Sequence, residues 1–524
     1  MSFVKSLQIY LDKLSPVGFH LFLLLSGCLA ALTRWNLEFV PTDFLWAEDA
    51  VIFLKDALEN GARSLWLPYN GYLHSLLRIS ALAAASIDYI WVPTIFFATW
   101  AFGFLAMLFT THRFLRQLDI PRTAILSACI LVVLQPHSGE VFFNLTNLQW
   151  LLGLSLALLI LSEPDSLTPW LQIPLVAVLS LTGPFSILLA GVVLARAVLR
   201  RQVTAAELIL MALATTQLAV VLHSGRGGTT PTDPSALHWL SAFATFFTFG
   251  SQYFFVQCAG IAFWAFLLRQ LWKMPWFPQE SSKDDILHMR TLQLLAFGAS
   301  TFGASLWAVK DIPDVITPLK DGARYFFVPY AVAIICFVIF AHKIQKARVL
   351  IWLMILVPTV AHIGRVNFSI SHFRAFQAFA AIHTGVIIPV QPPGWRIELP
   401  QHKFADNYTA LRKEISPYRN LRKETRQDRQ KYEVVLPVAK DCYSASFIGI
   451  EANFRRQIIS SAELTSSDWP AFRSNGTFHD RQKPIEKLQF AMTLDRPLRQ
   501  LLLTLSGQEL ALSPQVTMFC IWRK

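Results

Sequence analysis

Charge is scarce in this chain: 15% of its 524 residues are Asp, Glu, Lys or Arg, against 54% hydrophobic, and the mean hydropathy is +0.43. That is too little charge to cover an ordinary soluble protein. Cysteine is sparse as well, with six residues, no Cys-x-x-Cys and no metal-ligand spacing, which excludes a zinc ribbon or a thioredoxin-like centre. No Gly-rich phosphate cradle of the GxGxxG or GxxxxGK[ST] kind stands in a strand-helix context, so no nucleotide site is expected. Internal repeats are absent. The net charge of +12 does not point to nucleic acid, because Lys and Arg fall in short clusters between apolar runs, where they orient a membrane protein.

What is present is a succession of apolar runs near 15–34, 88–111, 122–136, 147–162, 168–182, 184–200, 204–222, 240–268, 288–309, 324–342 and 347–363. Read against the roughly 20 residues a span needs, they predict a mainly α, polytopic transmembrane bundle of about 11 spans. Lys5, Lys13, Arg113, Arg116, Arg196, Arg200, Arg201, Arg269 and Lys273 fall in one set of loops, and fewer cations, among them Arg34, Lys55 and Arg63, fall in the other. The N-terminus is therefore expected inside, with the loop 35–87 and everything after about 364 outside.

Composition changes beyond Pro392-Pro393-Gly394. Strand-like runs at 395–399, 432–436, 443–450, 487–494, 499–505 and 516–522 predict a small β-rich extracytoplasmic domain over 393–524, after a transmembrane domain 1–363 and a linker 364–392. A stretch near 407–431, dense in Arg and Lys, reads as helical. Cys442 and Cys520 lie in this polar region and either pair or remain free thiols, since sequence does not supply their separation.

The first outer loop carries Trp46-Ala47-Glu48-Asp49. Ala50, Phe53, Leu54, Ala57 and Leu58 then recur at i, i+3, i+4, i+7 and i+8, with Gly61 as a stop, which describes an amphipathic surface helix whose polar N-terminus holds Asp43, Glu48 and Asp49. Acidic residues at a helix start complement its dipole. Here the same loop also holds Tyr69, Asn70, Tyr72, His74 and Arg78, a mixture of rings, amide and cation beside carboxylates that suits a sugar. Further polar islands stand at the outer ends of spans: Glu140, Asn144 and Asn147, spaced for one helical face before Trp150, and Arg324-Tyr325, where an arginine fork suits a lipid phosphate or simply reaches the interface.

On Trp46-Ala47-Glu48-Asp49, the segment Tyr69 to Arg78, Asn144 to Trp150 and Arg324-Tyr325, residues 1–363 resemble the GT-C superfamily of polytopic glycosyltransferases, with an acidic motif in the first outer loop. The resemblance is to bacterial members that build or decorate surface polysaccharide. It implies an inner-membrane enzyme that moves a sugar, with inversion, from a polyprenyl-phosphate donor to a glycan or lipid-linked acceptor at the outer face. It also implies Asp49, with Glu48 as substitute, for the general base, Arg78 and Arg324 for the lipid phosphate, and Tyr69, Asn70, Tyr72, His74, Glu140, Asn144, Asn147, Trp150 and Tyr325 for substrate. No cofactor is required, although Glu48, Asp49 and Glu140 offer oxygen ligands to Mg²⁺ or Mn²⁺. The rival readings are a transporter or flippase, which calls for charged residues within the spans, and a receptor anchored by them.

Overall fold

The computed structural model of the chain describes residues 2–34, 41–135, 137, 139–162, 169–224, 254–273, 283–308, 322–343, 372–383, 385–392, 395–399, 406, 408–415, 421–426, 429–438, 440–442, 445–457, 459–465, 473–475, 485–493, 500–507 and 515–523. Two compact units are present. The first comprises Met1–Asn36, Leu65–Ile79 and Ala98–Val366; the second comprises Leu37–Ser64, Ser80–Phe97 and Asn367–Lys524.

The first unit is helical. Its described helices include Pro16–Leu32, Arg122–Leu134, Leu148–Leu161, Pro169–Ser180, Phe185–Arg200, Ala205–Ser224, Phe254–Lys273, Lys283–Ala308 and Arg324–Lys343. Local chemistry sets several ends. Ser15 caps Pro16–Leu32 by accepting from Gly18 N–H at 3.0 Å, with Pro16 at the first helical position. Thr204 and Glu207 form a reciprocal capping box before Ala205–Ser224: Thr204 N–H donates to Glu207 Oε2 at 2.8 Å and Glu207 N–H to Thr204 Oγ1 at 3.2 Å. Buried Arg196 pairs with Glu207 at 3.6 Å and donates to the Ile160 carbonyl at 2.7 Å, so these charges tie helix ends together.

Helix Arg324–Lys343 is buried from Phe326 to Ala341 and packs against Lys283–Ala308, Arg122–Leu134 and Leu148–Leu161. Gly298 permits a close approach of the first of these, because a Cβ there would stand 2.9 Å from Val332 Cγ1.

Three helices among the described residues are long and apolar enough to cross a membrane: Tyr89–Gln117, Ala205–Ser224 and Arg324–Lys343. The expected eleven spans are not reached among the described residues. Pro16–Leu32, Arg122–Leu134 and Leu148–Leu161 are shorter apolar helices, below the length of roughly 20 residues for a span, and 347–363 lies outside the described residues.

The second unit contains the described strands, whose pairings with one another are all antiparallel. β1 (Ile387–Val390) pairs with β2 (Trp395–Glu398). A five-stranded sheet runs β4 (Leu421–Arg426), β5 (Arg429–Pro437), β10 (Gln500–Gly507), β7 (Ile459–Thr465), β8 (Arg473–Asn475). A four-stranded sheet runs β3 (Tyr408–Ile415), β11 (Gln515–Arg523), β6 (Phe447–Gln457), β9 (Ile485–Thr493). The expected apolar runs supply β2, β5, β6, β9, β10 and β11.

Two expectations are corrected. The basic stretch 407–431 carries β3, β4 and the start of β5 in place of a helix. Arg and Lys are good helix formers, but pairing of Ala410 with Ile521 and Leu411 with Cys520 overrides that preference. The segment expected as a linker, 364–392, holds helix Phe373–Ile382 and β1. That helix buries Phe373, Phe376 and Phe379 in this unit and packs on the four-stranded sheet, where Gly449 leaves room for Phe379: a Cβ at 449 would lie 2.7 Å from its ring. Cys442 and Cys520 are disulfide-bonded, with Cα atoms 5.4 Å apart.

Candidate functional site

In the second unit the acidic couple sits on an irregular helix. After the short 3₁₀ turn Pro41–Asp43, the backbone of Leu45 accepts from Gln391 N–H at 2.8 Å and Trp46 bridges Gln391, which anchors the chain just ahead of Glu48. Asp49–Leu54 is then a π-helical turn, continued by α-helix Lys55–Asn60 and stopped at Gly61 with φ +54°. π turns are rare and concentrate at functional sites. The expected apolar face is present, with Ala50, Phe53, Leu54 and Ala57 buried. Asp49, in the first turn, is 2% exposed, and Glu48 beside it is half-buried. Asp43 serves elsewhere: its Oδ1 accepts from Arg374 N–H at 2.7 Å and caps helix Phe373–Ile382.

In the first unit the segment Tyr69 to Arg78 folds as a tight hairpin turn running into a helix. Tyr69 and Tyr72 exchange backbone hydrogen bonds of 3.0 and 3.3 Å around Asn70 (φ 51°) and Gly71 (φ 87°), the left-handed pair that an Asn-Gly turn provides. Asn70 is exposed at the tip and its role is this turn. Gln217 clamps the residues beyond the turn: its Oε1 accepts from Leu73 N–H at 2.9 Å, and its Nε2 donates to the carbonyls of Leu73 and Gly183, each at 3.1 Å. His74 bridges Thr182 and lies among the rings of Tyr69 and Tyr72, with centroids 5.7 and 4.9 Å away. Burial, and then the charge of Arg78 one helical turn on, push the His74 imidazole down to about 3, against a hydrogen bond with the Tyr69 backbone. His74 is accordingly a neutral ring near pH 7, and Arg78 beside it is buried.

A second cluster of this unit gathers the remaining expected residues. Arg324 Nη1 lies 2.8 Å from Glu140 Oε2 and its guanidinium covers the Tyr325 ring at 4.9 Å. Tyr325 meets Trp150 edge-on at 5.5 Å, and Trp150 meets Phe185 at 5.3 Å. Glu140, Asn144 and Asn147 were expected on a helical face, but the described part of 139–147 is a series of turns and the helix starts at Leu148. Asparagine competes for backbone groups: Asn144 Nδ2 and Asn147 Nδ2 donate to the Glu140 carbonyl at 2.7 and 2.9 Å, and Asn144 Oδ1 accepts from Asn147 N–H at 2.9 Å. With Phe143 at φ 65°, these bonds wind the loop around Glu140. The two amides are thus loop-forming, and what faces a ligand is set by the residues they position.

Sequence reasoning passed over Gln149. It and Trp150 are each 6% exposed, and neither Gln149 Oε1 nor Trp150 Nε1 has a hydrogen-bond partner among the described residues. Buried polar atoms left unsatisfied cost about 1–3 kcal/mol each, which favours a water or a polar ligand group beside them. Their adjacency to Asn147 was the available signal. His137, buried against Tyr330 at 4.8 Å, was likewise missed inside a motif read for its glutamate and amides.

Among the described residues no three His, Cys, Asp or Glu side chains gather as a metal-holding group. Glu140 is held by Arg324. No family model matches this chain, and no curated protein matches its sequence.

Proposed function

We propose that the chain is a polytopic bacterial inner-membrane glycosyltransferase of the GT-C kind, moving a sugar from a polyprenyl-phosphate donor to a hydroxyl of a surface glycan or lipid-linked saccharide at the outer face. The observation that carries this reading is Asp49: a carboxylate 2% exposed at the head of a π-helical turn, in a loop where burying a charge is expensive unless it works. In the proposed step the acceptor oxygen attacks the anomeric carbon as Asp49 takes its proton. The bond from that carbon to the phosphate oxygen breaks, and the phosphate leaves with the electron pair. Glu48 is the neighbouring carboxylate. Arg78 and Arg324 stabilise charge on the departing phosphate, and the aromatic and polar group Tyr69, Tyr72, His74, Trp150 and Tyr325 receives the donor.

Two further observations support the reading. Gln149 Oε1 and Trp150 Nε1, buried next to the Glu140 loop and without a hydrogen-bond partner among the described residues, suit a polar ligand. The Cys442–Cys520 bond fits an oxidising compartment and hence a periplasmic C-terminal unit, with the N-terminus cytoplasmic and about eleven spans in all, at roughly 20 residues each.

The test is to supply purified protein with a panel of polyprenyl-phosphate sugars and to compare wild type with Asp49→Asn and Glu48→Gln. Loss of a general base lowers the rate by about 10²–10⁴-fold, so Asp49→Asn is expected in that range. Transfer slowed by less than about tenfold in both variants would falsify the assignment of the base.

A further inference from the structure

The second unit contains a cavity of about 560 Å³ that none of the proposed catalytic roles uses. Its size lies inside the range of about 300–1,000 Å³ typical of small-ligand pockets. One wall is the outer face of the loop helix, with Lys55 and Glu59; another is β2, with Arg396 and Glu398; His383 at the end of helix Phe373–Ile382 closes the third side. Apolar floor is supplied by Val51, Leu58, Ile397 and Leu399.

The back of this cavity is built on a buried polar network. His383 Nε2 lies 2.9 Å from Glu451 Oε2, which also accepts from Gln489 Nε2 at 3.1 Å. Gln489 in turn accepts from Ile387 N–H at 2.9 Å and donates to the Gly385 carbonyl at 3.3 Å. The His383 ring stacks on Phe379 at 5.4 Å and leans on Phe519 at 4.9 Å. Its orientation is therefore fixed from two sides before any ligand arrives, which lowers the ordering cost of binding.

The chemistry of the lining selects the ligand. Two cations, Lys55 and Arg396, and two carboxylates, Glu59 and Glu398, line it, so it carries no excess of positive charge for a phosphate or polyanion and no excess of negative charge for a cation. Side chains that accept and donate in planar pairs, such as Arg396, Glu59 and Glu398, match the vicinal hydroxyls of a sugar, and the aliphatic floor matches the apolar face of a pyranose ring. We infer that this cavity is a saccharide-binding site, gripping an uncharged oligosaccharide through Lys55, Glu59, His383, Arg396 and Glu398. That the bound glycan is the acceptor rests on the proposed transfer reaction; the binding itself does not.

Binding is measured with the full-length protein in detergent on an array of neutral and acidic oligosaccharides, displayed both free at the reducing end and lipid-linked. Retention on a subset of neutral glycans is expected. Competition by the same oligosaccharide in solution should remove it, and inorganic phosphate should leave it in place. Arg396→Ala and Glu398→Gln are each expected to weaken retention by about tenfold or more, the loss of one charged hydrogen-bonding pair. Glu59→Gln repeats the test outside the strand, at an exposed helix position that pairs with Lys55 at 3.9 Å on the same surface. A failed transfer assay with intact, cavity-dependent retention in the wild type separates the two readings. No retention on any glycan, retention equal in wild type and all three cavity variants, or displacement by phosphate overturns the inference.

Discussion

Arg324 and Glu140 are joined across 184 positions of sequence, Nη1 to Oε2 at 2.8 Å, and the carbonyl of the same Glu140 is the point on which Asn144 and Asn147 converge. One residue therefore both folds its loop with its backbone and holds a partly buried arginine with its side chain. Removing the carboxylate alone leaves that arginine without its anion, whereas removing both partners leaves neither. Glu140→Gln is expected to lower thermal stability and the proposed sugar transfer, and Arg324→Gln to do likewise. The double variant should lose less than the two single losses added, with a coupling of about 0.5–3 kcal/mol for groups in contact. Simple additivity in unfolding measurements would show that the pair does not act as a unit.

The His74 ring titrates at about 3 in the fold, lowered chiefly by burial and next by Arg78, against about 6.5 in an unfolded chain. Between those values the unfolded state binds the extra proton, so stability rises with pH there. The contribution is complete above about pH 6.5 and is lost as the pH falls towards 3. Melting temperature followed from about pH 7.5 down to pH 4.5 is expected to fall more steeply for wild type than for His74→Gln, which keeps a polar side chain but no titration. Parallel curves for the two proteins would mean that His74 is not held neutral by its surroundings.

Local signals carried well from sequence to structure where a single residue type decides the backbone. Gly61 ends the loop helix with positive φ, and Asn70-Gly71 makes the turn its dipeptide prescribes. Aliphatic runs became β10 and β11 because strands rich in buried side chains need little else. What escaped was set by partners distant in sequence. The π turn at Asp49 has no periodicity of its own, and β3 and β4 are strands because β11 and β5 pair with them, against their Arg- and Lys-rich composition. Helix Phe373–Ile382 is ten residues long and gains its stability from the sheet beneath it, so its short apolar pattern resembled a linker. At the candidate site the aromatic and charged members were legible by type. Gln149, Gln217 and His383 were not, because their importance lies in which neighbour they meet, and a polar residue within an apolar segment reads as incidental until that neighbour is known.

The bond between Cys442 and Cys520 provides a check on both topology and stability. Cys442 ends the 3₁₀ turn Lys440–Cys442, and Cys520 lies within β11 between its two neighbours β3 and β6, so the bridge staples a loop to the middle of a sheet. It closes a loop of 78 residues, and the chain entropy removed from the unfolded state corresponds to about 4.5 kcal/mol at 25 °C. Cys442→Ser with Cys520→Ser is therefore expected to lower the thermal stability of the second unit sharply, by roughly 2–5 kcal/mol when followed by protease susceptibility of the β strands. The compartment is read separately by mass. Protein taken directly from membranes, denatured without reductant and alkylated, should gain label on Cys28, Cys129, Cys258 and Cys336 and on no other cysteine. Label on Cys442 and Cys520 as well would place them in a reducing compartment and invert the proposed orientation, on which the proposed outer-face reaction depends, since disulfides persist on the oxidising side of the membrane and not in the cytosol.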